Sequence, residues 1–191
     1  MTRRVVFDAS FLAALTDEAT PVRAVAGGTP DDTRDRLAYL IERLDDGGAD
    51  VVIPTPALAE VLSVGTRDPS TALATLDAQA RFRVVPFDQR AATECGIRIR
   101  EGLRGRSADQ KSRTAVKFDA MILAVALVEQ ATVIYTDDDA LRRHAKAAGL
   151  EAWGFDDLPA RPTPPQGELP MPAPPAPKAK VGRPIKRKKR L

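Results

Sequence analysis

The sequence predicts an α/β fold of three layers, with helices on both faces of a central parallel sheet. Short β-rich apolar runs alternate with helical periodicities from residue 3 to about residue 155, and strands that alternate with helices build parallel sheets. Residues 117–139, KFDAMILAVALVEQATVIYTDDD, join a helix apolar on every side to a short apolar strand, the signature of elements sunk in a core. The alternation stops at Pro159, and 10 of the 16 prolines lie in residues 159–191. The expected organisation is therefore a folded body over 1–158 and a proline-rich linker with a disordered basic tail over 159–191.

Arg3 to Phe7 reads as the first strand, with Asp8 at its end and Ser10 as a cap for a helix through Phe11, Leu12 and Leu15. Residues 20–30, rich in Gly and Pro, read as a loop. Asp31 or Asp32 is expected to cap a second helix with Leu37, Leu40, Ile41 and Leu44 inward, ended by Gly47-Gly48. Val51 to Ile53 is the second strand. Thr55-Pro56 opens a helix carrying Glu60, and Asp68-Pro69 opens another that reaches about Ala80. Phe82 to Val85 is the third strand, followed by a helix capped by Asp88 that turns Ala91, Cys95 and Ile99 inward. Residues 104–113, RGRSADQKSR, read as a basic loop ahead of the buried helix, with Asp119 at the head of its apolar run. Thr132 to Tyr135 is the fourth strand, a helix spans about 140–148, and Glu151 to Gly154 is the last strand.

The bulk composition excludes several chemistries. One cysteine, Cys95, gives no intramolecular disulfide and no cysteine zinc site. One histidine, His144, builds neither a histidine metal cluster nor a nucleophile–base pair. Both read as structural or surface residues, and Trp153 as core. The apolar run after Arg3 and Arg4 is only Val5 to Phe7, too short for a signal peptide. No stretch approaches the ~18 apolar residues of a membrane span, so a cytoplasmic protein is expected. The formal charge of +3 hides an asymmetry: residues 159–191 carry a net +8 and the preceding residues a net −5.

Four acids recur at equivalent places: Asp8 after the first strand, Glu60 in the helix after the second, Asp119 in the buried helix, and Asp138 after the fourth strand. Parallel neighbouring strands would bring them to one sheet edge, where open α/β sheets bind ligands. Like charges gathered there repel unless a cation or protons compensate, and Mg²⁺ or Mn²⁺ suits carboxylate and water ligands. Singly, each acid has an ordinary reading: Asp8 as a cap, Glu60 as a solvated helix residue, Asp119 as a helix-dipole partner, and Asp137 to Asp139 as a turn. A phosphoaspartate hydrolase would want an acid where Ser10 stands, and a receiver domain's paired acids and lysine do not appear.

With these residues the chain resembles the PIN domain, a family of metal-dependent ribonucleases that includes the VapC toxins. VVFDASFL resembles its first acidic motif, with Asp8 as the acid and Ser10 as the supporting hydroxyl. PTPALAEVL resembles the second, with Glu60; KFDAMILAVAL the third, with Asp119; and YTDDDALRRHA the fourth, with Asp138 two places after Thr136. The resemblance covers about residues 3–155 and implies phosphodiester hydrolysis by a metal-bound water. It places Asp8, Glu60, Asp119 and Asp138 in catalysis, and Asp8, Asp119, Asp138 and Asp137 around the metal. Ser10 and Thr136 would support them, and Asp137 stands where a different polar residue is usual.

Two basic segments point to nucleic acid. Arg104, Arg106, Lys111 and Arg113 precede Asp119 and read either as phosphate contacts or as a solvated loop. The tail ends GRPIKRKKRL, in which Gly182-Arg183-Pro184 resembles an AT-hook; narrow minor grooves attract arginine. The other reading is a plain polycation of Lys186, Arg187, Lys188, Lys189 and Arg190. The sequence thus leads to a metal-dependent endoribonuclease, the toxin of a toxin–antitoxin module. Its rival is a DNA-associated binding protein with a PIN docking module. Expected partners are an RNA substrate, DNA through the tail, a cognate antitoxin and a second copy of the chain.

Overall fold

The structure, a computed structural model, describes residues 2–64, 68–103 and 113–162. The chain divides into two units, Met1–Arg161 and Pro162–Leu191, and the first holds every strand and helix described. Residues 104–112, expected from sequence to be loop, and the AT-hook-like segment of the tail lie outside the described residues.

Five strands form one sheet in the order β3-β2-β1-β4-β5: β1 Arg4–Phe7, β2 Asp50–Pro54, β3 Phe82–Val85, β4 Val133–Tyr135 and β5 Glu151–Trp153. Every pair is parallel. The central strands are the apolar ones: Val5, Val6 and Phe7 of β1 and Val133 and Ile134 of β4 are fully buried. Strands covered by helices on both faces read as such unbroken apolar runs. The order makes β1 the turning point, because β2 and β3 lie on one side of it and β4 and β5 on the other. The crevice outside the carboxyl ends of β1 and β4 is therefore the topological switch point, where α/β folds bind ligands.

The helices are α1 Ala9–Thr16, α2 Pro30–Asp46, α3 Thr55–Val64, α4 Pro69–Asp77, α5 Gln89–Leu103, α6 Arg113–Val128 and α7 Asp139–Ala147. The expected buried helix is α6: five successive residues, Ile122 to Ala126, are all buried, which happens only when a helix is packed on every side. Phe7, Phe11 and Tyr135 form an aromatic triangle at 5.3–5.6 Å, and Phe155 stacks on Phe11 at 4.5 Å. Phe7, the residue that precedes Asp8, thereby joins the core cluster. Cys95 is buried, and Trp153 packs against the core at partial exposure.

Local details differ from the sequence expectation. Asp8, not Ser10, caps α1, because its carboxylate accepts from the N–H groups of Ser10 and Phe11. Thr29 caps α2 in place of Asp31 or Asp32; Pro30 occupies the first turn and Asp32 closes a capping box back onto Thr29. The pairing of a threonine cap with a following proline outcompetes the aspartates, which then serve the macrodipole from inside the first turn. Helix α4 stops at Asp77 instead of Ala80. Arg113 begins α6 and is not loop, so Asp119 lies in the helix's second turn and not at its amino end. The macrodipole acts within the first turn and so does not account for Asp119.

Candidate active site

Asp8, Glu60, Asp119, Asp137 and Asp138 line one cavity of about 480 Å³ at the switch point. Its position follows from the register. Phe7 pairs with Tyr135 across β1 and β4, and the N–H of Asp8 donates to the Tyr135 carbonyl at 3.1 Å. The residues that leave the two strands, Asp8 and Thr136 to Asp138, therefore emerge side by side. Helix α3 brings Glu60 and α6 brings Asp119 to the same space.

Asp8 is 5% exposed, and its carboxylate accepts four hydrogen bonds. Its Oδ1 accepts from the Ser10 N–H at 2.9 Å, the Ser10 hydroxyl at 2.6 Å and the Phe11 N–H at 3.2 Å. Its Oδ2 accepts from the Thr136 hydroxyl. Burial nevertheless outweighs those four stabilising bonds and pushes the carboxyl up to about 6. The two hydroxyls also brace the turn after β4. Ser10 Oγ accepts from the Asp137 N–H at 3.0 Å, and Thr136 Oγ1 accepts from the Asp138 N–H at 3.1 Å. The residues read from sequence as supporting hydroxyls thus tie the first acidic segment to the fourth.

The three successive acids have three different environments. Asp138 caps α7, its Oδ1 accepting from the Ala140 and Leu141 N–H groups at 2.6 and 3.0 Å. Asp139, with its side chain 92% exposed, points to solvent. Asp137 meets the guanidinium of Arg23, whose Nε and Nη2 donate to its two oxygens at 3.0 and 2.7 Å. Hydrogen bonding to Asp137 is the foremost reason that the Arg23 guanidinium holds its proton more tightly than usual.

Glu60 stands on the rim and is exposed as a residue. Its carboxyl is raised above the ordinary range first by partial burial, then by the charges of Asp119 and Asp138. Glu60 thus senses the charge of both other acids, and like charges gathered in one cavity call for a cation or a proton to compensate them. All the donors are carboxylate oxygens, the set a hard divalent ion prefers. Among the described residues, no three acid, histidine or cysteine side chains stand close enough to enclose an ion unaided. The donor chemistry fits Mg²⁺, which keeps several waters and uses one or two carboxylates.

Two residues of this region escaped the sequence reading. Asp17, 4% exposed, lines the same cavity at the carboxyl end of α1; its signal is an acid that closes the apolar run FLAALT. Arg23 belongs to a segment read only as loop, although Val22 and Val25 on either side of it are buried. No helix among the described residues is long and apolar enough to cross a membrane.

The sequence pattern of the PIN domain matches residues 5–147. No curated protein matches. Among solved structures, the chain is similar to VapBC2 from Rickettsia felis bound to a DNA fragment from their promoter. That match has 15% identity and a TM-score of 0.54, and covers 79% of this chain and 98% of that one. A weaker likeness, TM-score 0.48 at 19% identity, is to VapC20 of Mycobacterium tuberculosis, described as a sarcin-ricin loop cleaving toxin; it covers 81% of this chain and 99% of that one.

Proposed function

The chain belongs to the PIN domain family, and from that premise we propose that it is a metal-dependent endoribonuclease, the toxin of a toxin–antitoxin module. The observation that carries the proposal is the convergence of Asp8, Glu60, Asp119 and Asp138 on one cavity at the switch point. One or two carboxylates of the set Asp8, Asp119 and Asp138 would hold Mg²⁺ or Mn²⁺ directly, with water completing its shell. When bound, such an ion supplies an activated water and neutralises charge on the phosphodiester.

The chain's own residues prepare the site. Ser10 and Thr136 fix the Asp8 carboxylate from both sides and hold the turn bearing Asp138 in register with it. Glu60 lines the same cavity, its carboxyl pushed above the ordinary range by partial burial and by the charges of Asp119 and Asp138. The fold likeness to VapBC2 is the reason to look for a cognate antitoxin.

The test is incubation of the full chain with a mixed RNA pool in Mg²⁺, in Mn²⁺ and in a chelator. Discrete fragments in either metal and none in the chelator are expected. A chain that binds nucleic acid and cleaves none of it in either metal would replace this reading with its rival, a DNA-associated module anchored by the tail. The feature that favours the rival is the net +8 of residues 159–191, with Gly182-Arg183-Pro184 among them.

A further inference from the structure

The segment between α1 and α2 lines the cavity through Thr20 and pairs Arg23 with Asp137, another residue of that lining. The segment is pinned on both sides of Arg23. Val22 and Val25 are 8% and 2% exposed. The Thr33 hydroxyl donates to the Arg23 carbonyl at 2.9 Å and accepts from the Val25 N–H at 3.0 Å. Beyond the fork on Asp137, Arg23 Nη1 donates to Asp156 Oδ2 at 2.6 Å, and the other oxygen of Asp156 accepts from the Ala26 N–H at 2.8 Å. Arg23 is thus held by its backbone and by two carboxylates, one from the turn after β4 and one from the segment after β5. A guanidinium that meets a carboxylate through two parallel bonds forms the most directional of ion pairs. Both Asp137 oxygens face the guanidinium, whose positive charge offsets theirs and repels a second cation brought to the same carboxylate.

We infer that Arg23 is a positioning residue that withholds Asp137 from the ion-binding set, leaving the ion to Asp8, Asp119 and Asp138. The inference rests on the metal-dependent reading above and refines it, since sequence alone places Asp137 among the ligands. It has a chemical consequence. Each further anionic ligand tightens an ion's binding and also dilutes its positive charge, which is what a phosphodiester needs from it. Taking one carboxylate out of the set trades affinity for electrophilicity. It also removes one negative charge from the mouth that a polyanionic substrate must approach.

The experiment is calorimetric titration of the full chain with Mn²⁺ alone, for the wild type, Arg23→Ala, Arg23→Gln, and the double variant Arg23→Ala with Asp137→Asn. Urea unfolding of each metal-free protein runs alongside. Freeing Asp137 should tighten Mn²⁺ binding by about tenfold, the scale on which outer-sphere partners tune metal affinity. The double variant should return to the wild-type value, because a neutral pair then replaces a neutralised one. Arg23→Gln keeps a donor to Asp137 while removing the charge, and should also tighten binding; it serves if Arg23→Ala does not fold. A double variant weaker than wild type would make Asp137 a native ligand and overturn the inference. Single variants that lose metal-free stability without gaining affinity would overturn it too, by showing Arg23 to be only a loop staple. If no protein in the set, the wild type included, binds Mn²⁺ at millimolar concentration, the metal-dependent reading falls as well; if the wild type binds and the single variants merely equal it, only this inference falls.

Discussion

The Thr136 hydroxyl donates to the buried carboxylate of Asp8, and the same oxygen accepts from the N–H of Asp138. One side chain therefore serves two acids that lie 130 residues apart in sequence. Thr136→Val keeps the shape and removes both bonds, leaving a buried carboxylate and a backbone donor each short of a partner. Such losses cost about 1–3 kcal/mol. The urea midpoint of the metal-free protein should fall with an unchanged slope, and Thr136→Ser should recover most of it. A valine variant as stable as wild type would mean that the hydroxyl does not organise the site.

Asp8→Asn and Asp119→Asn should abolish RNA cleavage while leaving the protein folded. For Asp8 the expectation has a structural reason. Asparagine caps helices as well as aspartate does, and its carbonyl oxygen can still accept from Ser10 and Phe11 as Oδ1 does. Asp8→Ala loses the cap and should cost a further ~0.5–2 kcal/mol. Circular dichroism separates the two effects. Appreciable cleavage by Asp119→Asn would remove that residue from the site.

Stability of the metal-free protein should depend on pH through Asp8. Its carboxyl sits at about 6 in the fold, against 3.8 for an aspartate freely exposed to water, as in the unfolded chain. Below both values it is protonated in either state and contributes nothing. Between them the native state retains a proton that the unfolded chain gives up, so stability falls as pH rises through that window and then levels off. The gap corresponds to a loss of about 3 kcal/mol by neutral pH. The raised carboxyl of Glu60 acts in the same direction, whereas Asp156, lowered by Ala26 and Arg23, acts in the opposite one. The Asp8 part is isolated by subtracting the Asp8→Asn profile, measured by urea unfolding in chelator. Superimposable profiles for the two proteins would show that burial does not perturb Asp8.

What was legible in the sequence is what is encoded locally. Asp8 and Asp138 each follow a short apolar strand, and Asp119 interrupts an apolar helix; such positions are visible in a short window of sequence, and parallel topology then brings them together. The cap of α2 was equally local, but Thr29-Pro30 competed with two neighbouring aspartates and propensity alone did not rank them. The environment of Asp137 was of another kind. Its partner Arg23 is 114 residues away, on a segment whose Gly and Pro content announces a loop and says nothing of where the loop lands. Asp17 was hidden for the same reason: a polar residue after a helix is ordinary until the fold buries it.

Nucleic-acid affinity should reside largely in the tail. The residues before 159 carry a net −5 and those from 159 onward a net +8, so long-range attraction to a polyanion has one source. Lys186 to Arg190 are five consecutive cations. If all five meet phosphates of duplex DNA, removing them should flatten the slope of log affinity against log salt by about 4–5 units. The cut belongs after Pro162, because Arg161 still donates to both carboxylate oxygens of Glu42 at 2.7 and 2.8 Å on α2; an earlier cut would disturb the body as well. Cleavage of a short RNA at saturating concentration should survive the truncation, since none of the acids of the cavity is removed. Arg183→Ala separates the two forms of the tail: a loss confined to A·T-rich duplexes favours insertion into a narrow minor groove, and an equal loss on G·C-rich duplexes favours a plain polycation. Affinity and salt dependence unchanged by truncation would place binding on the body instead, against its net charge.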